Sequence, residues 1–198
     1  MLPDIPTRIE TERLYLRGFQ AGDGEWYYAA SQRNREHLRR YESENVILSI
    51  KSLEEAEALV RDLADEWARR RCFFMGAFEK STHTFVAQIY IGPVNWDLPE
   101  FEIGFFADKD HEGRGYVTEA VRGALQLVFE HLKAQRVRME CDDTNLRSLR
   151  VAERCGMVKE GHVPENKRNP DGSLSGTLFY GLLKSEYEGL KALFSHKE

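Results

Sequence analysis

Cysteine is scarce: Cys72, Cys141 and Cys155 are the only three in 198 residues, and no two form a CxxC pair. An odd, widely spaced set argues against a disulfide framework and favours buried structural thiols, with a catalytic thiol as the alternative. The six histidines show no HExxH or other ligand spacing, so no metal is expected. Apolar runs long enough to cross a bilayer are missing. The opening "MLPDIPTRIETERL" lacks the basic start and greasy core of a secretory signal. A cytoplasmic chain with no membrane partner is expected. An excess of basic charge is missing too. The net charge of −5 argues against a general nucleic-acid surface, so no nucleic-acid partner is expected. Repeats, low-complexity tracts and long linkers are absent. The chain therefore reads as a single domain over residues 1–198, long enough for a sizeable core.

What is present is ordinary for a globular domain, with 41% apolar and 31% charged residues. "RLYLRGF" (13–19) alternates and predicts a strand. Residues 22–40 and 52–71 are helix-favouring, and Ser52 with Glu55 makes a capping box. "CFFMGAFE" (72–79), "TFVAQIYIGPV" (84–94) and "EFEIGFFAD" (100–108) predict strands. Helical spacing of apolar residues runs over 115–133. "RVRMECD" (136–142) predicts a strand, and a short helix over 145–155 is closed by Gly156. "GMVKEGHV" and "TLFYGLLK" predict the last strands, around the turn "NPDGS". The order is β-α-α-β-β-β-α-β-α-β-β, and antiparallel hairpins beside one helical crossover make the class α+β, or mixed α/β.

The segment "HEGRGYVTEA" (111–120) places two glycines where a strand hands over to a helix. A helix start carries unpartnered amides and a positive dipole end, which together bind anions. Glycines let the backbone approach such an anion, and Arg114 adds charge. The alternative is a plain strand–helix turn. A GxxxxGK[ST] loop is absent, which disfavours a nucleoside triphosphatase. GxGxxG would need glycine where Thr118 stands, and Asp142 and Asp143 lie too far on to hold a ribose.

Four stretches in this order and spacing, "ETERLYLRGF", "FEIGFFADKDHEGRGYVTEA", "DDTNLRSLRVAERCGM" and "GTLFYGLLKSEY", resemble the GCN5-related N-acetyltransferases, in the branch of the ribosomal-protein N-terminal acetyltransferases. The resemblance covers nearly the full length. It implies a mostly antiparallel twisted sheet of about seven strands with about four helices, splayed at the cofactor site. The family loop Gln/Arg-x-x-Gly-x-Gly/Ala falls on Glu112 to Val117. Glu112 and Val117 depart from it, and Glu112 sets a carboxylate beside an anion site. The resemblance implies acetyl-CoA as co-substrate. Its pyrophosphate would lie on Gly113, Arg114, Gly115, Tyr116, Val117 and Thr118, its pantetheine arm on the backbone of Phe106, Ala107 and Asp108, with Asn145 as a further contact. A backbone amide near Phe105 or Phe106 would serve as oxyanion donor.

The chemistry needs a neutral amine, a stabilised carbonyl oxygen and a proton for the leaving thiolate. The resemblance implies Glu102 as base, directly or through water, and Ser148 as acid. Glu100 is the same-face alternative to Glu102. Asn145 also suits a helix cap, Ser148 also suits packing in a first turn, and Tyr180 is a rival acid or a core aromatic. Trp26, Tyr27, Tyr28, Tyr41 and Trp67 are expected to pack the early helices on the sheet, and the resemblance implies that these helices also wall the acceptor pocket, with one or two of the five touching substrate. The implied activity is N-acetylation of a primary amine, a protein N-terminus or a small molecule such as a polyamine, amino acid or aminoglycoside. Its rivals are a non-catalytic acyl-CoA-binding module and an oxidoreductase. Monomer and homodimer remain equally open.

Overall fold

The computed structural model describes residues 5–169 and 171–195. Its elements are β1 (Arg8–Glu10), β2 (Leu14–Gly18), α1 (Gly24–Leu38), α2 (Leu53–Ala68), β3 (Phe73–Glu79), β4 (Phe85–Asn95), β5 (Glu100–Ala107), α3 (Tyr116–Gln126), β6 (Arg136–Asp142), α4 (Leu146–Arg154), β7 (Val158–Arg168), β8 (Leu174–Leu183) and α5 (Lys184–Ser195). All eight strands join one sheet, ordered β1-β2-β3-β4-β5-β6-β8-β7. Every neighbouring pair is antiparallel except β5 with β6. The mixed α/β class stands, with β1 and α5 added to the expected order. Pro170, part of the expected "NPDGS" turn, lies outside the described residues. Around it the amide of Asn169 donates to the Ser173 carbonyl at 2.9 Å.

Local chemistry sets the element ends. The Ser52 hydroxyl accepts the Glu55 amide at 3.1 Å, and the Glu55 carboxylate accepts the Lys51 amide at 2.7 Å. This is the expected capping box, reaching back one residue further than its usual form. α4 ends at Gly156, whose φ is +80°. The Met157 amide donates to the Ala152 carbonyl and the Gly156 amide to that of Glu153, each at 3.0 Å, which completes a Schellman cap.

The sheet is covered on both faces. Alternation along β5 sends Ile103 to one side and Phe106 to the other. Ile103 packs with Leu16, Met75, Ile89 and, from α3, Val121 and Leu125. Phe106 packs with Tyr27 of α1, Val60 and Leu63 of α2, and Phe78. Fully burying a side chain of this kind contributes about 1.5–3 kcal/mol. The helix expected to continue to residue 133 instead widens into one π turn, Leu127–His131. The wider turn buries Leu127, Val128 and Phe129 in succession, which a single inward stripe of an α-helix would not do.

The feature that makes a site is the β5–β6 junction. The two strands pair in parallel only at Glu100↔Arg136, Phe101↔Val137 and Glu102↔Arg138. β5 continues to Ala107 and β6 to Asp142 without each other. Beyond Glu102 the sheet splays open.

Candidate active site

The open edge of β5 can be read from its hydrogen bonds. The Asp108 amide donates to the Val86 carbonyl at 2.9 Å, so it points to β4. Two-residue alternation turns the amides of Phe106 and Gly104 the same way and leaves those of Phe105 and Ala107 facing the splay, while that of Ile103 belongs to the last rung shared with β6. Of the expected backbone pairing at Phe106, Ala107 and Asp108, the amides of Phe106 and Asp108 turn to β4, that of Asp108 onto the Val86 carbonyl, and the Ala107 amide faces the splay. Of the two expected oxyanion donors, Phe105 faces the splay and Phe106 does not.

The Asp108 side chain has another task. It is fully buried, and Arg33 donates to one carboxylate oxygen from Nε at 2.9 Å and from Nη2 at 2.5 Å. Asn34 donates to the same oxygen at 2.9 Å, and His111 Nδ1 lies 3.1 Å from the other. Burial opposes ionisation, but Arg33, Asn34 and His111 outweigh it and hold the carboxyl below its usual range. This cluster ties α1 to the segment that leads into the glycine loop.

The loop itself adopts positive φ, +74° at Gly113 and +78° at Gly115. Among the described residues, the amides from Gly113 to Thr118 find no backbone acceptor outside the helix they start. A Cβ built on Gly113 would meet nothing within 4 Å, so the space over the loop is open. Behind it, Arg13 Nη1 donates to the Arg114 carbonyl at 3.0 Å and Arg13 Nε to Glu119 at 2.7 Å. The Tyr116 hydroxyl turns away from the splay and donates to Glu79 at 2.5 Å. The Arg114 side chain is exposed, while Val117 is half-buried and Thr118 buried on α3. Glu112 is held by His37 Nε2 at 3.0 Å and by Arg147. The carboxylate that seemed misplaced beside an anion site thus has a guanidinium partner on α4 and an imidazole nitrogen beside it on α1.

Where β5 and β6 part lies a cleft of about 80 Å³, lined by Ile103, Gly104 and Phe105 of β5 and by Met139, Glu140, Cys141 and Asp142 of β6. Asn145, Ser148, Tyr41, Glu42 and Lys167 complete the lining. Asn145 is also the cap of α4, its side-chain oxygen accepting the Ser148 amide at 3.3 Å. The two readings of Asn145 are compatible, because the cap leaves its NH₂ unused. Burial, with Asp142 adding to it, pushes the Cys141 thiol up to about 11, so it is protonated and structural. Burial likewise pushes Cys155 up to about 12. Tyr180 is a core aromatic, buried with Met139 and Leu178. Among the aromatics expected on the early helices, Tyr41 lies past the end of α1 and lines the cleft, while Trp26 stacks on Phe19, Tyr27 is tilted against Phe19 and Trp67 packs on Phe73.

The two carboxylates expected to serve as base are both ion-paired. Arg138 donates to one oxygen of Glu102 from Nε at 3.1 Å and from Nη2 at 2.8 Å. Arg136 donates to Glu100 at 2.9 Å and also grips Glu160. Neither Glu100 nor Glu102 lines the cleft, whereas Glu42 does. Sequence reasoning missed Glu42, because its segment after α1 carries no motif and only the fold brings it to β6. Arg33, Asn34, His37 and Arg147 were missed for the same reason. Among the described residues no cluster of His, Cys, Asp and Glu could hold a metal, and no helix is long and apolar enough to cross a membrane.

A family model described as an acetyltransferase (GNAT) domain matches residues 13–158. Probable N-acetyltransferase YjcK of Bacillus subtilis (strain 168) is 24% identical over 159 residues, covering 80% of this chain and 87% of that protein. Mycobacterium smegmatis RimJ, in complex with CoA-disulfide, superposes with a TM-score of 0.82 at 19% identity, over 98% of this chain and 97% of that one. RimL, a ribosomal L7/L12 alpha-N-protein acetyltransferase in complex with coenzyme A, has a TM-score of 0.79 at 16% identity, over 89% of this chain and 97% of that one.

Proposed function

The chain belongs to the GNAT acetyltransferase family, and from that premise we propose that it moves the acetyl group of acetyl-CoA to the α-amine of a protein N-terminus. The observation that carries the reading is the junction of three features at one place: the splay beyond Glu102, the open amides of the glycine loop, and the cleft lined by Phe105, Asn145 and Ser148. Acetyl-CoA supplies an activated acetyl group as a thioester. The amides from Gly113 to Thr118, at the positive end of α3, hold the pyrophosphate, with Arg114 adding charge. The free edge of β5 at Phe105 and Ala107 pairs with the pantetheine arm, and the Asn145 amide group donates to it. The Phe105 amide stabilises charge on the acetyl oxygen. Ser148, on the first turn of α4, gives its hydroxyl proton to the departing sulfur. A carboxylate beside the cleft takes the proton of the attacking amine.

An α-amine suits this site. Its pKa lies near 8, so roughly a tenth is neutral at pH 7, whereas a lysine amine near 10.4 is almost wholly charged. Likeness to RimL adds support, since that protein acts on a protein α-amine. The test is a competition among acceptors. An N-terminal peptide, the same peptide with a blocked N-terminus and an internal lysine, and spermidine are each supplied with acetyl-CoA. Turnover on the free N-terminus at least tenfold above the other two supports the reading. A preference for spermidine or lysine overturns it.

A further inference from the structure

Whatever amine enters, a proton must leave it for a group inside the cleft. Four carboxylates stand nearby, and their partners rank them. Glu102 is bound by Arg138 and lies off the cleft wall. Asp142 has both oxygens taken: one accepts the Thr144 amide at 2.9 Å and the Thr144 hydroxyl at 2.6 Å, the other the Ser175 hydroxyl at 2.5 Å. Glu140 is exposed to bulk water. Glu42 is half-buried on the cleft wall, and its carboxylate accepts one hydrogen bond, from Asn45 Nδ2 at 3.3 Å. Its backbone is fixed as well, with its amide on the Leu38 carbonyl at 2.8 Å and its carbonyl accepting the Asn45 amide at 2.9 Å.

We propose that Glu42 is the catalytic proton acceptor for the attacking amine, and that the Glu102–Arg138 pair is a strut at the point where the sheet opens. The proposal rests on the cleft being the site of acetyl transfer. Burial pushes the Glu42 carboxyl up, and Asn45 and Lys167 offset this in part. A carboxylate whose pKa is raised toward the working pH is the stronger base, whereas one held by a guanidinium is the weaker. Asn45 and, from β7, Lys167 act on Glu42 directly, and the titratable groups that line the cleft with it are Tyr41, Glu140, Cys141 and Asp142. Asp142 is held ionised by Ser175 and Thr144 against its burial, and Cys141 stays protonated, so neither changes charge across the range used below.

The step balances. Glu42 takes the proton from the ammonium nitrogen, and the freed lone pair forms the new C–N bond at the acetyl carbon. The C–S bond breaks, and the sulfur keeps its electron pair. Ser148 protonates that sulfur and is reprotonated from water, to which Glu42 returns its own proton.

The experiment compares wild type with Glu42→Gln, Glu42→Asp and Glu102→Gln. It measures kcat/KM from pH 6 to 9 on an N-terminal peptide, the Kd for coenzyme A by calorimetry, and the Glu42 carboxyl titration by ¹³C NMR. Loss of a general base costs about 10²–10⁴ in rate. For a partly neutral α-amine the expected loss in Glu42→Gln is near a hundredfold at pH 6, shrinking as pH rises and water takes over, with Kd unchanged. Glu42→Asp should keep part of the rate, and Glu102→Gln should lose less than tenfold. A pH-independent Glu42→Gln within threefold of wild type, or a Glu42 titration midpoint in the ordinary carboxylate range, overturns the assignment. A wild type that fails to bind coenzyme A overturns the acetyl-transfer reading itself and this inference with it.

Discussion

Glu102 and Arg138 face each other on the last rung that β5 and β6 share, joined by two hydrogen bonds to one carboxylate oxygen. Both side chains remain more than a third open to water, 36% for Glu102 and 38% for Arg138. A pair so exposed contributes only about 0.2–1 kcal/mol. Arg138→Met should therefore lower the unfolding free energy, read from urea unfolding, by an amount within that range. A loss well above 1 kcal/mol would show that the pair holds the splay more firmly than its exposure implies.

Asp108 is the opposite case. Its carboxylate is fully buried on Arg33, Asn34 and His111. Removing one partner of a buried pair costs about 3–5 kcal/mol, so Asp108→Ala should destabilise by about 3 kcal/mol at pH 7. The folded pKa lies below the unfolded value, near 3.9. The carboxylate's contribution is therefore complete above that value and is lost as pH falls through the folded pKa. Urea unfolding at pH 7, 5 and 3 checks it: the gap between wild type and variant should hold from 7 to 5 and narrow at 3. A gap that stays constant to pH 3 would contradict the assignment.

Gly115 tests the loop. At φ +78° a built Cβ meets only the end of Arg13 at 3.5 Å, so the obstacle to a side chain is backbone conformation and the ligand itself. A non-glycine residue in this region costs of order 1–3 kcal/mol. Gly115→Val should raise the KM for acetyl-CoA more than tenfold while moving the acceptor KM little. Equal shifts in both constants would point to general distortion instead of a phosphate cradle.

Asn145 has two roles that substitution separates. Loss of a cap costs about 1 kcal/mol. Asn145→Ala should lower both stability and coenzyme A affinity. Asn145→Ser keeps a capping oxygen but has no amide to donate, so it should recover the stability alone. Thermal melts beside calorimetry measure the two effects. Recovery of affinity in the serine variant would leave Asn145 as a cap only.

Much of this was legible in the sequence, for local reasons. Ser52 and Gly156 cap their helices through contacts three to five residues away. The alternation of β5 and the glycines after it need only their own neighbours. What stayed hidden depends on distant partners. β1 is three residues long and is a strand only because Ile9 pairs with Leu16. β7 runs on past Pro164 because a register shift between Val163 and Lys167 absorbs the proline. Glu112 looked unfavourable until the fold brought His37 and Arg147 to it. Asp108 looked like an edge residue until Arg33 and Asn34, on α1, took its side chain. Glu42 was silent because nothing next to it in the chain reports the cleft it joins.

The central claim is that an acetyl group passes to an amine in the cleft beside Phe105 and Ser148. Wild-type protein is mixed with acetyl-CoA and a free N-terminal peptide, and released thiol is counted against acetylated peptide by mass spectrometry. The expected result is one thiol per acetylated peptide, with the acetyl group on the α-nitrogen, and release that falls to background when the peptide is omitted. Thiol release that does not depend on the peptide, or coenzyme A binding with no acetylated product, would contradict it.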